Sequence, residues 1–190
     1  MRYSPSRKEE TRDRVLRAAS RRFRKDGVGV AIGDLMKTLK LTHGGFYRHF
    51  KSKEALLAEA LERAVGEGAA RMARAAAEAP GRELETIICT YLSEGHCNDP
   101  GGGCALAALA PEVARESRAV REAMDRALLQ HSGAMAMYMP GANDEQRRKN
   151  AIALFSGMAG SLGVARSLAD AGLRRTVLES ARRLYLEAYA

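Results

Sequence analysis

Apolar residues recur at helical spacing along nearly the whole chain. Val15, Leu16, Ala19 and Phe23 mark one face of a first helix over about residues 6–26, and Gly27 stops it. Ile32, Leu35, Met36 and Leu39 fall at i, i+3, i+4 and i+7, a second and shorter helix over 32–39. Lys40 and Leu41 carry the chain to Thr42, whose hydroxyl can cap a third helix over 42–49. Ser52 reads as the cap of a long fourth helix reaching Glu78, with Leu56, Leu57, Ala60, Leu61 and Val65 inward, until Pro80-Gly81 breaks it. A fifth helix is expected over 82–95, then a loop over 97–103, CNDPGGG. A sixth covers 104–115, with Pro111 expected to kink or restart it, and a seventh covers 117–138. The eighth, capped by Asn143, runs over 144–171 to a stop at Gly172, and the ninth over 173–189. Five prolines and few β-branched runs leave no case for strands, so the chain reads as all-α with about nine helices.

Composition changes this picture little, and charge changes it much. The 190 residues are 46% apolar and 28% charged, ordinary for a globular protein with a sizeable core. No apolar run is long enough to span a bilayer, and MRYSPSRKEETR carries no secretory pattern, so the cytoplasm is expected. Three cysteines in that setting argue against a disulfide framework. The net charge of +8 is unevenly placed. Residues 1–53 hold 15 Lys and Arg against 5 Asp and Glu, whereas residues 54–190 hold 16 against 18. The excess therefore sits entirely on the segment that carries the two short helices. A basic helix-turn-helix is a DNA-binding pattern, and phosphate contacts would make binding steeply salt-dependent.

The third helix has the chemistry for a major groove. His43, Gly44, Tyr47 and Arg48 or His49 form its outer face, while Phe46 and Phe50 turn inward. Thr42 can hold a phosphate at the helix start, the paired glycines let the backbone approach, and His43 can reach a base edge. Lys53 begins the fourth helix, and Arg7 and Thr11 can meet the DNA backbone from the side. LTHGGFYRHFKSKEAL, residues 41–56, resembles the recognition helix and following helix of the TetR family of transcriptional regulators, a likeness that covers residues 7–62. In that family the positions of Tyr47 and His49 donate to phosphates. Ala31 departs from the pattern: Ser or Thr usually caps the second helix there, worth about 1 kcal/mol.

The resemblance implies a DNA-binding domain over 1–53 and a ligand-binding and dimerisation domain over 54–190. It implies a cavity among the fifth to eighth helices, for which Leu106, Leu109, Met135, Met139, Phe155 and Met158 are the candidate lining. Residues 91–115 resemble one TetR subgroup, including Cys104 in GCALAAL, whereas Cys97 stands where that subgroup has Arg. Cys97 beside His96, and Cys104 at a helix start, suggest a redox or electrophile sensor, since an imidazolium and a helix N-terminus both favour thiolate. Cys89 reads as buried and inert. Ile152, Phe155, Ala159 and Leu162, with Leu178, Ala181 and Tyr185, are the candidate homodimer face. His96, Cys97, Asp99 and Cys104 lack zinc-site spacing, so no metal or cofactor is expected. The sequence thus reads as a non-enzymatic repressor of a palindromic operator, released by a small effector or by cysteine modification. The alternatives are an effector-independent or activating regulator of the same fold, and a thiol-dependent redox enzyme using Cys97 and His96. A membrane-surface role for the arginine-rich first helix is weaker, because its apolar face suits a domain core.

Overall fold

The computed structural model describes residues 5–190; residues 1–4, which begin the expected basic domain, lie outside the described residues. Ten α-helices and one 3-10 turn follow in order, with no strand among the described residues. They are α1 (Pro5–Asp26), α2 (Ile32–Thr38), α3 (His43–Phe46), α4 (Lys53–Ala77), α5 (Glu83–Tyr91), α6 (Glu94–Asn98), α7 (Ala105–Val113), α8 (Arg118–Met135), α9 (Asp144–Ser167) and α10 (Ala171–Tyr189). The 3-10 turn covers Ala136–Tyr138, between α8 and α9. No described helix is long and apolar enough to cross a membrane.

Several element ends follow the chemistry expected of them. Gly27 takes a left-handed φ of 84°, and its N–H bonds back to the Phe23 carbonyl at 2.9 Å, closing α1. Ser52 and Asn143 cap α4 and α9, accepting from the N–H of Ala55 and Gln146. Ala31 starts α2 with no side-chain bond, as its methyl dictates.

Other ends differ from the sequence reading. The expected 97–103 loop begins as a helix, α6, because Ser93 caps it by accepting from the His96 N–H at 3.1 Å. The eighth expected helix ends at Ser167 rather than at residue 171, and Gly172 lies inside α10 instead of stopping anything. Asp170 accounts for both: its carboxylate accepts from the Leu173 N–H and starts a new helix. Pro111 does not restart α7, which runs through it and ends two residues later at Val113.

The core divides within α4. Val15, Ala19, Phe23, Leu35, Met36, Phe46, Phe50 and the α4 residues from Leu56 to Val65 form one cluster, to which Leu109, Val113 and Val120 also contribute. From Met72 onward α4 joins a second cluster with α5, α9 and Leu178 of α10. Each fully buried Leu or Phe contributes roughly 2 kcal/mol. One continuous helix is thus anchored in both cores, and α7 and α8 reach into the first from the second.

Candidate nucleic-acid interface and the thiol loop

The turn between α2 and α3 is closed by backbone geometry. Lys40 adopts φ 57°, and the Leu41 N–H returns to the Met36 carbonyl at 2.9 Å. Thr42 is extended and its hydroxyl accepts from the Gly45 N–H at 3.2 Å. The third helix is shorter than expected. Regular α structure covers His43–Phe46, and a tighter turn carries the chain on through His49, with Phe50 N–H bonded to the Phe46 carbonyl at 3.1 Å. Two glycines in one turn explain the weak propagation.

Phe46 and Phe50 are buried and stacked at 5.7 Å, so this turn is fixed from below. Arg12 locks α1 to the same unit: it lies 4.6 Å over the Phe50 ring and donates to both oxygens of Glu59 at 2.7 and 2.6 Å. His43, Gly44, Tyr47 and Arg48 are left outward, Tyr47 being 62% exposed with its ring edge against His43. Arg7, Thr11, Thr42, Arg48 and His49 line one groove, together with Lys8 and Lys40, which the pattern of apolar residues did not single out. Lys53 stands half-buried at the first turn of α4. Burial, then Lys8, Arg12 and Arg48, hold the His49 pKa below its usual value, so His49 presents a neutral ring to this groove.

The thiol loop differs from its sequence reading. Cys97 is buried in α6, and Cys104 is buried at the N-cap of α7; both, with half-buried Cys89, are free thiols. His96 Nδ1 donates to the Tyr91 carbonyl at 2.6 Å, and Nε2 accepts from the Cys104 N–H at 3.0 Å. Burial brings its pKa down to about 4. His96 is therefore a neutral strut, not the expected imidazolium. With both nitrogens engaged it has no lone pair left for a thiol enzyme's base. The cation beside the thiols is Arg166, which sequence reasoning missed. It donates to the carbonyls of Cys97 at 3.2 Å and His96 at 2.7 Å. Burial lowers its pKa, while Cys104 and Cys97 act in the opposite direction. No group of three metal-ligating side chains occurs among the described residues.

The loop is tied directly to α1. Buried Arg24 donates to the Gly103 carbonyl at 2.8 Å, to the Ser20 carbonyl at 3.0 Å and to Glu67 at 3.2 Å. Gly103 is squeezed between the Arg166 guanidinium and the Asp99 carbonyl, so no side chain fits there. A second tie runs from the Glu112 carboxylate, which accepts from the Val28 N–H at 2.8 Å.

Next to Cys104, a narrow recess opens among α4, α5, α8 and α9, walled by Val65, Met72 and Phe155. Arg71, Tyr91 and His131 face it. The Tyr91 hydroxyl faces the Cys104 thiol, and both ring nitrogens of His131 are buried without a hydrogen-bond partner among the described residues. Of the six residues expected to line a cavity, Phe155 alone lines this recess. Leu109 packs in the first core, while Met135, Met158 and the half-buried Leu106 pack in the second. Met139 borders a separate shallow hollow beside Met137 and Arg147. Apolar spacing reports burial, whereas a recess is marked by polar side chains among apolar ones.

The expected dimer face also needs correction. Phe155, Ala159, Leu162 and Leu178 are buried within the subunit, because α9 packs on α7, α8 and α10. Ile152, Ala181 and Tyr185 are half-buried. The apolar side chains left outward on these two helices are Val164 at 53%, Leu173 at 51% and Leu184 at 59% exposure.

Residues 15–60 match the N-terminal domain of the bacterial regulatory proteins of the tetR family. The HTH-type transcriptional repressor NemR of Escherichia coli (strain K12) is 28% identical over 121 residues, 62% of this chain and 61% of that protein. The matched segment thus spans about three-fifths of that relative's length. The crystal structure of E. coli NemR in its reduced form aligns over 95% of this chain and 97% of that one, at 22% identity and a TM-score of 0.75. A TetR transcriptional regulator from Chloroflexus aurantiacus J-10-fl aligns over 94% and 93%, at 25% identity and a TM-score of 0.75.

Proposed function

Because this chain belongs to the TetR family of bacterial regulatory proteins, we propose that it is a cytoplasmic homodimeric repressor of a palindromic operator. Residues 1–53 act as its DNA-binding domain and residues 54–190 as its effector and dimerisation domain. The observation that carries the reading is the basic groove over which α3 stands, with His43, Gly44, Tyr47 and Arg48 outward. Base edges fall to His43 and Arg48; phosphates fall to Arg7, Thr11, Thr42, Tyr47, His49 and Lys53. Lys8 and Lys40 add charge to the same groove.

Release follows from modification of Cys104 or from an effector lodged beside it. A repressor must couple its sensor to its DNA contacts through an element with two arrangements. Two features supply the coupling: α4 rooted in both cores, and Arg24 joining α1 to the loop before Cys104. Cys104 is buried and directly follows Gly103, so a group added to its sulfur bears on Gly103 and, through it, on Arg24. Resemblance to a repressor whose structure was solved in a reduced form supports a thiol trigger.

The test is selection of bound sequences from random DNA, followed by affinity measurements on reduced and diamide-treated protein. A palindrome bound by the reduced form and lost on treatment is expected, and Cys104→Ser should abolish the loss. An absence of sequence preference at moderate salt would overturn the DNA reading.

A further inference from the structure

Four rings follow one another from the first core to the outer face of α3. Phe50 and Phe46 are buried and stack at 5.7 Å. The Tyr47 ring stands at 80° to that of Phe46, 5.1 Å away, and the His43 ring at 85° to that of Tyr47, 5.8 Å away. Edge-to-face pairs at these separations are favourable, so each ring orients the next. Arg12 holds the inner end, lying 4.6 Å over Phe50 while bound to Glu59 of α4. At the outer end the His43 ring reaches α2: a Cβ added to Gly33 would stand 4.0 Å from His43 Cδ2. His43 and Tyr47 are nonetheless exposed, and neither lines the basic groove. A Cβ added to Gly44 would meet nothing within 4 Å, so the face beside His43 is open. The groove gathers cations, whereas the braced ring outside it carries a directed N–H.

We propose that His43 donates a ring N–H to a guanine in each operator half-site and so sets the sequence there, with Tyr47 as its positioning residue. Guanine presents two neighbouring acceptors in the major groove, N7 and O6. Adenine places an amino donor beside N7, cytosine presents an amino donor, and thymine sets a methyl group near O4. A ring N–H therefore finds its best partner on guanine, provided the direction of the ring is fixed. A freely turning side chain would lose much of this discrimination, because it can swing to another acceptor. The chain of rings supplies the fixed direction, and Arg48 has a longer, more adaptable side chain on the same face. The inference rests on the reading of the chain as an operator binder, and it names what α3 recognises there. Two-fold symmetry places the guanine at one mirrored pair of operator positions.

The experiment selects bound sequences from random DNA with the reduced full-length protein, then measures affinities for the selected operator and its single-base variants. The parent should require guanine at one mirrored pair of positions, each replacement there weakening binding about fivefold or more. His43→Gln should move that preference to adenine, whose N6 and N7 pair with a carboxamide. His43→Ala should erase it, leaving the other positions and the salt slope unchanged. His43 is exposed, so both variants should melt as the parent does. Tyr47→Phe keeps the ring and loses the hydroxyl, so affinity should fall alike for all sequences while guanine persists. Tyr47→Ala should blur the guanine preference, which loss of a phosphate contact alone would not do. Arg48→Ala should leave this pair of positions intact. A guanine preference that survives both His43 variants, or a His43-dependent pair that is not guanine, would overturn the assignment. A preference that survives Tyr47→Ala in full would overturn the positioning role. A parent with no sequence preference at all would overturn the regulator reading, and this assignment with it.

Discussion

Lys40 is the one described non-glycine residue with positive φ, and it sits in the turn that defines the DNA-binding unit. A side chain in this region costs roughly 1–2 kcal/mol. Replacing Lys40 with Gly relieves that cost but frees the unfolded chain by about 0.4–1 kcal/mol. Lys40→Gly should therefore leave the melting temperature unchanged or slightly raised. Operator affinity should fall, and the salt slope should shrink by about 1, because a charge leaves the groove. A stable variant with an unaltered salt slope would remove Lys40 from the interface.

The buried histidines give a second prediction at this scale. Burial lowers both His96 and His131 to about 4, so the folded protein holds them neutral. Their contribution is complete above the unfolded pKa near 6.5 and is lost as pH falls from there towards 4, where the unfolded chain binds the extra protons. The loss should approach about 3 kcal/mol for each group. Urea melts between pH 7 and 4 should show stability falling with pH. His131→Leu should remove about half of the slope, while a flat profile would mean that these rings are hydrated.

Among elements, the contact that matters most joins α1 to the loop before Cys104. Arg24→Met removes the bonds to Gly103 and Ser20, yet leaves Glu67 paired with Arg63 at 2.9 Å. No charge is stranded, so the loss should be about 1–3 kcal/mol rather than the larger penalty of a broken buried pair. The variant should still bind the operator when reduced. It should respond less to diamide, because the loop no longer pulls on α1. Gel-shift titrations of parent and variant, each reduced and treated, separate a coupling role from a merely structural one. An unchanged response would assign the coupling to α4 alone.

For the whole molecule, two-fold operator binding requires a partner surface. The apolar side chains that α9 and α10 leave outward are Val164, Leu173 and Leu184. A paired Val164→Glu and Leu184→Glu variant should sediment as a monomer, keep its helical content and lose at least tenfold in operator affinity. A dimer that survives both charges would place the interface elsewhere. Phe155, Leu162 and Leu178 are poor choices for this test, since burial within the subunit makes their loss a matter of folding.

Most of what is local was legible in the order of residues alone. The apolar period of α1, α2 and α4, the Thr42, Ser52 and Asn143 caps, and the Gly27 stop depend on residues within a turn or two of each other, and all are found as read. The outward face of α3 was legible for the same reason: Phe46 and Phe50 point in, so His43 and Tyr47 point out. Tertiary structure decided what depends on distant partners. It turned His96 from a charged neighbour of the thiols into a neutral strut, because Tyr91 and the Cys104 backbone claim both nitrogens. It brought Arg166 to the thiols and Arg24 to Gly103 from 69 and 79 positions away. It also drew the α9 face inward and left the polar recess beside Cys104. Burial and charge at a point sum over every element that meets there, and periodicity along one helix carries no record of that sum.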